Sequence, residues 1–364
     1  MAKIAILSFY SQVVERGVET FALEIGKRLS QKHKVTVFHT GQQKTQNFAQ
    51  ISKSSGLNFV SIKMTSASPI SSKGLLGKLN LDKQSFRILV FTLKVSPIIF
   101  KNKYDLIIPL NGGWQIAIVR ILSKLTGSKI LTSGHAGVGS DDAWNLLFRP
   151  DVFVALTSAQ AKWAKRLAPE VKIALIPNGV DLANFNPKVK AKDIPLQKPV
   201  VICTSALVPY KRVELTIKAV AKAKDLSLLV LGDGEMRGVI DSVGKRILGK
   251  RYLRLVVPYD KMPAYYRAGN VFTLASKTEA FGISYVEAMA CNLPVVTTYD
   301  SSREEIVGQA GILTNPVDID QYAKDLKIAS QTEYRNIPYN QALKYSWNKI
   351  AGKYSNLINQ MSHE

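Results

Sequence analysis

Cysteine and long apolar runs are nearly absent from this sequence. Only Cys203 and Cys291 occur among its 364 residues, and both lie in apolar surroundings, which favours reduced core residues over a disulfide or a metal cage. A membrane-spanning helix needs about 18 consecutive apolar residues, whereas the best candidate, residues 88–100, is short and contains Lys94 and Pro97. The N-terminus has no secretion-signal pattern. We therefore expect a cytosolic protein that does not span a bilayer.

Acidic side chains are also scarce relative to basic ones. The chain has 49 Lys and Arg against 27 Asp and Glu, a net charge of +22. The imbalance is concentrated at the front, because the first 190 residues hold 26 basic and 10 acidic side chains, against 23 and 17 in the rest. Such a field attracts polyanions, which include nucleic acid, anionic lipid head groups and phosphorylated small molecules. Charge alone does not choose among these partners.

Strand-like and helix-like segments alternate along the first half of the chain. Lys3–Phe9 and Lys34–His39 are short apolar runs rich in β-branched residues, and Glu19–Leu29 between them has helical apolar spacing. Four further predicted strands are Asp105–Leu110, Lys129–Thr132, Val152–Leu156 and Ile173–Ile176. Strands that alternate with helices predict a parallel, doubly wound sheet.

A second alternating series follows residues 177–199, which contain four prolines and predict a connection between domains. Its predicted strands are Pro199–Thr204, Ser227–Leu231, Tyr252–Val257, Val271–Leu274 and Val295–Thr297. The chain is long enough for two domains with a core each. We predict an α/β fold of two Rossmann-like, doubly wound domains that face each other across a cleft, where substrates would bind beyond the carboxyl ends of the strands.

The most specific segment runs from Ser276 to Pro294 and contains two glutamates, Glu279 and Glu287, separated by seven residues. Gly282 between them lets backbone approach a ligand closely, and the unpaired N–H groups of the helix that follows can hold a phosphate. One carboxylate can then bond sugar hydroxyls, and the other can hold a ribose diol. A loop and a helix with two solvated carboxylates is the alternative for a bare pair at this spacing.

The residues around this pair belong to a series of motifs that runs almost the full length of the chain. The motifs are Gly17-Val-Glu-Thr20, Ile176-Pro-Asn-Gly-Val-Asp181, Ser205-Ala-Leu-Val-Pro-Tyr-Lys-Arg-Val-Glu214, Leu231-Gly-Asp-Gly-Glu235, Glu279 to Glu287, Glu304-Glu-Ile-Val307 and Ala310-Gly-Ile-Leu313. With them the sequence resembles the retaining GT-B-fold glycosyltransferases of group 1, or family 4, type, which include bacterial mannosyl- and glucosyltransferases of cell-surface glycans. The resemblance implies an acceptor-binding domain at 1–180, a nucleotide-sugar-binding domain at 181–345 and a helix at 346–364 that packs back on the first domain.

The resemblance also implies a role for each matched residue. The expected catalytic residues are Lys211 on the diphosphate, Glu279 on the transferred sugar and His135 near the acceptor and donor sugar. The expected donor-binding residues are Glu287 on the ribose, Arg212 and Gly17 near the diphosphate, and the backbone amides of Phe281, Gly282 and Ile283. For Gly17 a simple helix-entry loop is an equal alternative. A Lys–Arg pair at a helix start more commonly lies on a solvated face without a binding role. Lys211 is assigned a role only because it lies in the motif.

The departing diphosphate carries the charge that develops in the transition state, so a fixed cation and a helix start aimed at it should dominate catalysis. The resemblance implies that a departing phosphate oxygen accepts the acceptor's proton. We expect no metal and no cofactor besides the donor, because Asp141 and Asp142 lack a third ligand. Many relatives carry Gly-Arg where this chain has Ser205 and Ala206. Either Arg212 replaces the missing arginine, or activity is low.

Residues 70–103 interleave seven basic residues with apolar ones, opposed only by Asp82. Such a segment can lie on an anionic membrane, and a solvated helix with an apolar face in the core explains it almost as well. The family resemblance favours peripheral docking on the inner face of the plasma membrane, because many such enzymes glycosylate lipid-linked acceptors.

We therefore predict a retaining transferase that moves a hexose from a nucleotide-diphosphate sugar to a glycan or glycolipid acceptor, with an anionic membrane surface and no nucleic acid among its partners. Three alternatives stay open. A phosphorylase of the same fold would use inorganic phosphate. A basic nucleic-acid-binding protein agrees with the charge, although no binding module is recognisable. A catalytically inactive relative is suggested by Ala206.

Overall fold

The chain folds into two units. A computed structural model describes residues 1–11, 13, 17–41, 55–64 and 80–363. The first unit comprises Met1–Asn178 and Trp347–Glu364, and the second comprises Gly179–Ser346. Each unit is built on one parallel sheet with helices on both faces, so the predicted α/β class of two Rossmann-like domains is confirmed. Within the described ranges, no helix is long and apolar enough to cross a membrane.

The first unit has a seven-stranded sheet in the order β3-β2-β1-β4-β5-β6-β7. Its strands are β1 (Lys3–Leu7), β2 (Lys34–His39), β3 (Asn58–Ser61), β4 (Leu106–Pro109), β5 (Lys129–Ser133), β6 (Val152–Ala155) and β7 (Lys172–Leu175). Its helices are α1 (Gly17–Leu29), α2 (Lys83–Asn102), α3 (Trp114–Thr126), α4 (Ser140–Leu147), α5 (Ser158–Leu167) and, at the end of the chain, α13 (Trp347–His363). Strands buried on both faces explain the near-continuous apolar runs in the sequence.

Hydrophobic clusters cover both faces of this sheet. On one face, α1 packs beside α13, where the Phe21 ring lies 5.6 Å from that of Tyr354 and 6.2 Å from that of Trp347. The apolar residues of α13 therefore form part of the core of the first unit. On the other face, α2 and α3 share one core through residues such as Phe91 and Val119.

The second unit has a six-stranded sheet in the order β10-β9-β8-β11-β12-β13. Its strands are β8 (Val200–Thr204), β9 (Ser227–Leu231), β10 (Tyr252–Leu255), β11 (Val271–Leu274), β12 (Val295–Thr298) and β13 (Gly311–Thr314). Its helices are α6 (Val213–Lys222), α7 (Arg237–Leu248), α8 (Met262–Tyr266), α9 (Ile283–Ala290), α10 (Ser301–Val307), α11 (Ile319–Gln331) and α12 (Ile337–Ala342). Numbered within the unit this order is 3-2-1-4-5-6, the order of dinucleotide-binding sheets, which reverses direction between the first and fourth strands.

Candidate active site

The loops after β8 and β11 lie side by side at the point where the second sheet reverses its strand order. Lys211 ends a short 3-10 turn in the first loop, and Glu279 lies in the second. The amide of Lys277 donates to the carbonyl of Tyr210 across 2.8 Å, which ties the two loops together. Ligands of open α/β sheets bind beyond the strand ends at such a reversal point. The sheet topology therefore brings Lys211 and Glu279, which are 68 positions apart in sequence, together at the edge of the sheet where a ligand is predicted to bind.

Lys211 and Glu279 form an ion pair in which Nζ lies 2.5 Å from Oε1. The hydroxyl of Ser276 donates to the same carboxylate oxygen across 2.6 Å. The two charged side chains are only 14% and 12% exposed, so water screens this pair less than it screens a surface pair. An ammonium group has three donors, and the carboxylate accepts one of them, which leaves donors for a phosphate oxygen. The pair fixes a cation at the reversal point.

The Leu231-Gly-Asp-Gly-Glu235 motif supports the loop that carries Lys211. The amide of Leu207 donates to the carbonyl of Asp233, and the amide of Met236 donates to the carbonyl of Leu207, each across 2.9 Å. A Cβ at Gly234 would lie 2.5 Å from the Leu207 carbonyl oxygen, so only glycine permits this approach. The motif therefore has a packing role in the structure that its sequence did not reveal.

Helix α9 begins at Ile283, four residues after Glu279 of the ion pair. Its cap, Gly282, has a φ of 82° and carries no side chain that would satisfy the first N–H groups of the helix. A Cβ at this position would lie 2.2 Å from the ring of Tyr285. Phe281 is buried, with its ring 5.6 Å from that of Tyr345, which anchors the loop in the core. The start of α9 at Ile283 thus offers backbone donors of the kind that bind phosphate.

Arg303 on α10 supports the Glu279 loop and the start of α9, and the sequence did not identify it as a site residue. The residue is 1% exposed. Its Nη2 donates to the Ser276 carbonyl across 3.0 Å, its Nε donates to the Tyr285 hydroxyl across 3.2 Å, and Nη1 pairs with Asp300. One guanidinium therefore bonds both to the Glu279 loop and to α9. Its place in a short polar helical run, Ser301–Val307, gave no signal of burial.

Replacing Arg303 with methionine is expected to lower the free energy of unfolding by about 3 kcal/mol, because the Ser276 carbonyl and the Tyr285 hydroxyl each lose a buried hydrogen-bond donor. Chemical denaturation measures this loss. Arg246→Met, at an exposed position on α7, is the matched control and should change stability by less than about 0.5 kcal/mol. Equal effects of the two substitutions would contradict the role of Arg303.

Arg212 turns toward the ends of β11 and β12. Its backbone is left-handed, with a φ of 50°. Its Nε donates to the Ala275 carbonyl across 2.7 Å, and Nη2 donates to the Thr298 hydroxyl across 3.3 Å. Burial, with Arg303 nearby, lowers the pKa of its guanidinium. Its contact with a diphosphate, and its substitution for the arginine missing at Ala206, stay predictions.

Glu287 lies one turn into α9 and is 5% exposed. Its Oε2 accepts from the hydroxyl of Tyr266 across 2.9 Å. Burial raises the pKa of Glu287 from 4.5 to about 7. Because the pKa in the folded state is raised, protonation stabilises the fold, and this contribution is present below about 4.5 and lost as the pH rises through about 7. The carboxylate that would hold a ribose diol therefore titrates near neutral pH.

Donor affinity should consequently depend on pH through Glu287. If the ionised carboxylate accepts from the ribose hydroxyls, lowering the pH from about 8 to about 6 should weaken nucleoside diphosphate binding about tenfold. Glu287→Gln should bind more weakly at the high end and lose most of this pH dependence. Isothermal titration calorimetry at the two pH values measures both effects. An unchanged pH dependence in Glu287→Gln would exclude this carboxylate as the titrating group.

Two predicted residues, Gly17 and His135, belong to the first unit. Gly17 is exposed at the first position of α1. His135 follows β5, and its ring lies edge-on 4.4 Å from that of Phe21. Its Nε2 atom is buried and has no hydrogen-bond partner in the described part of the chain. Burial lowers the pKa of His135 to about 4, so the imidazole is neutral at pH 7. The predicted approach of Gly17 to the diphosphate and the predicted place of His135 near the sugars stay predictions.

Asp142, considered above as a metal ligand, is bonded within the protein instead. It is 1% exposed, and its Oδ2 accepts from Gln160 Nε2 across 3.0 Å. The same Nε2 donates to the Gly134 carbonyl across 2.8 Å, so Gln160 joins Asp142 to the loop that carries His135. Burial raises the pKa of Asp142 to about 7. Among the described residues, no group of three or more His, Cys, Asp or Glu side chains is placed to hold a metal ion.

The chain has two doubly wound sheets, and Lys211 and the start of α9 lie where the second sheet reverses its strand order. This arrangement defines a GT-B-type α/β protein. Two family models match the chain, "Glycosyltransferase Family 4" over residues 16–184 and "Glycosyl transferases group 1" over residues 184–345. Together they cover the chain from the first helix to the end of the second unit. The chain belongs to the group 1 glycosyltransferases, which confirms the family resemblance seen in the sequence.

Solved structures agree with this fold over the whole chain. Sucrose-phosphate synthase from Thermosynechococcus elongatus superimposes with a TM-score of 0.81 at 18% identity, covering 100% of both chains. HepE from Anabaena, solved with UDP and glucose, gives a TM-score of 0.72 at 18% identity, covering 99% of this chain and 100% of that one. At such identities the likeness establishes the fold alone.

Curated relatives match over shorter stretches. A Mycolicibacterium smegmatis protein, the GDP-mannose-dependent α-(1-6)-phosphatidylinositol monomannoside mannosyltransferase, is 26% identical over 182 residues, which are 44% of this chain and 48% of that protein. A probable sucrose-phosphate synthase of Thermosipho melanesiensis is 30% identical over 52% of this chain and 48% of its own length. The matched regions span less than half the length of each relative.

Proposed function

We propose that this protein is a retaining glycosyltransferase that moves a hexose from a nucleotide-diphosphate sugar to a glycan or glycolipid acceptor. The observation that carries the proposal is the ion-paired Lys211 beside the open start of α9, at the strand reversal of the second unit. A fixed cation and convergent backbone N–H groups are the two devices that bind a diphosphate. Membership of the group 1 glycosyltransferases supports the same reading.

In the proposed reaction, Glu287 holds the ribose diol, and Glu279 contacts the transferred sugar. The bond between the anomeric carbon and the diphosphate oxygen breaks, and an acceptor hydroxyl oxygen forms the new bond on the same face. The acceptor proton passes to the departing phosphate oxygen. Lys211 and the amides of Gly282 and Ile283 stabilise the negative charge that collects on the diphosphate, the position where preorganised donors lower the barrier most. His135 is neutral at pH 7, and its role near the acceptor and donor sugar stays a prediction.

The acceptor in this proposal is lipid-linked, and the protein works at the inner face of the plasma membrane from the cytoplasm. The M. smegmatis relative is named for a phosphatidylinositol mannoside acceptor and a GDP-mannose donor, which supports a glycolipid acceptor here. No metal is assigned a step, because the chemistry above needs only the side chains and amides of the chain.

A panel of nucleotide sugars, incubated with glycolipid acceptors and read out by nucleoside diphosphate release, tests the proposal. Release with one donor and retained anomeric configuration in the product would support it. No release and no binding across the panel would overturn it. Phosphate-dependent release of a sugar 1-phosphate would instead favour a phosphorylase. Turnover that begins only in Ala206→Arg would favour an inactive relative.

A further inference from the structure

The outer face of α2 is apolar where a soluble helix is usually polar. Phe86, Leu93 and Phe100 have exposed fractions of 64%, 50% and 55%. They follow one another at intervals of seven residues, so on an α-helix of about 3.6 residues per turn they fall within about 40° of one another. The opposite face of α2 is already buried in the core through residues such as Phe91 and Val95. The stripe is therefore a second apolar face, separate from the one that folds the unit.

A row of lysines runs along one edge of this stripe. Lys83, Lys94 and Lys101 are exposed, and on a helical wheel they lie about 80 to 100° around the axis from Leu93. Lys94 donates to the carbonyl of Lys63 across 2.9 Å, an exposed bond that leaves its charge uncompensated. Asp82 is the N-cap of α2 and accepts from the amide of Ser85. Apolar and cationic rows thus lie parallel along the helix.

The neighbouring helix α3 extends the same surface. Ile121 and Leu125 are 57% and 66% exposed, and Lys124 between them is exposed as well. Because α2 and α3 pack on one face of the sheet and share one core, their outer sides face the same way. Neither helix contains an Asp or Glu residue, which is unusual for two adjacent solvent-facing helices. We name this combined face of α2 and α3 the α2–α3 surface.

We infer that the α2–α3 surface docks the protein on a bilayer that contains anionic lipid. Large apolar side chains flanked by lysines and free of carboxylates are the pattern of segments that lie in a membrane interface, with the lysines at the anionic head groups. A second copy of this chain fits the surface less well, because a two-fold interface would bring the same uncompensated lysines face to face.

The inference rests on the proposed function in one respect, since a lipid-linked acceptor must be reached at a membrane. It goes further by assigning the docking to the exposed stripe and to α3, which the sequence interpretation of residues 70–103 did not include. The part of that segment at 70–79 lies outside the described residues and carries none of the inference.

Vesicle sedimentation tests the inference without any need for turnover. The full chain is mixed with vesicles of phosphatidylcholine alone, or with phosphatidylglycerol added. We expect binding only to the anionic vesicles, and weaker binding as salt is raised. The variant that combines Phe86→Ser, Leu93→Ser and Phe100→Ser should reduce the partition coefficient at least about tenfold. Lys83→Glu with Lys101→Glu should reduce it to a similar extent.

The matched control places three serines on exposed apolar positions of the second unit. These are Val256, Val317 and Ile328, which are 64%, 63% and 43% exposed. This control should bind vesicles like the wild type, and all variants should keep wild-type affinity for nucleoside diphosphates.

Equal losses in control and α2 variants, or no wild-type binding to anionic vesicles, would overturn the inference. Concentration-dependent dimerisation that the α2 serines abolish would assign the surface to a second copy instead. A failed donor panel with intact vesicle binding would count against the enzyme proposal alone.

Discussion

Replacing Lys211 with alanine is expected to lower kcat about a thousandfold, the upper range for loss of one preorganised donor to a developing charge. Lys211 is the cation that the ion pair with Glu279 fixes at the strand reversal, and its removal leaves the diphosphate with backbone donors alone. Because the charge on the leaving group grows toward the transition state, the loss should fall mainly on kcat and less on the KM of the donor. Initial rates of nucleoside diphosphate release measure both constants.

Lys218→Ala is the matched control for this experiment. Lys218 is exposed on α6, the helix that follows the Lys211 turn, so its removal changes the net charge equally without touching the site. Its kcat should stay within about twofold of the wild type. A Lys211 variant that behaves like the Lys218 variant would show that the diphosphate charge is stabilised elsewhere.

Replacing Gly282 with alanine is expected to weaken nucleoside diphosphate binding about a hundredfold and to destabilise the fold by about 2 kcal/mol. The backbone of Gly282 has a φ of 82°, where a side chain is strained, and the new Cβ would lie 2.2 Å from the ring of Tyr285. The Tyr285 ring is fully buried, and its hydroxyl accepts from Thr297 and Arg303. The ring therefore cannot move away from the new Cβ. The cap must shift instead, and the first N–H groups of α9 shift with it.

Gly238→Ala provides the same substitution without the strain. Gly238 lies on α7, and a Cβ there meets nothing within 4 Å. Because alanine favours a helix over glycine, this control should be neutral or more stable by up to about 1 kcal/mol. Calorimetric titration with nucleoside diphosphates and chemical denaturation measure the two quantities. Wild-type nucleotide affinity in Gly282→Ala would contradict the assignment of α9 as the phosphate-binding helix.

The fold class was predictable because both sheets are parallel. Parallel strands are buried on both faces, so they appear in sequence as separate apolar runs between helices. All the predicted strands are present, with ends that differ by up to two residues. Two strands were not predicted, β3 at Asn58–Ser61 and β13 at Gly311–Thr314. Both are four-residue strands at the sheet edges, and three of the four residues of β13 are only partly buried, so their apolar signal is weak.

The site was predictable only in part. Lys211, Glu279 and Gly282 belong to sequence motifs, and the structure brings them to one edge of the second sheet. Arg303 carries no motif, and nothing in its neighbouring residues indicates that it reaches the Ser276 carbonyl 27 positions away. The same applies to Gln160, which joins Asp142 to the loop of His135, a link that only the sheet topology creates. Periodicity identifies which residues are buried, whereas long-range polar partners depend on the order of the strands.

A crystal structure with bound nucleoside diphosphate is the most direct measurement of the central claim. We expect diphosphate oxygens at about 3 Å from Lys211 Nζ and from the amide nitrogens of Gly282 and Ile283, the separation of a charge-assisted hydrogen bond. A diphosphate bound at any other edge of the second sheet, with Lys211 still paired to Glu279 and α9 uncontacted, would contradict it.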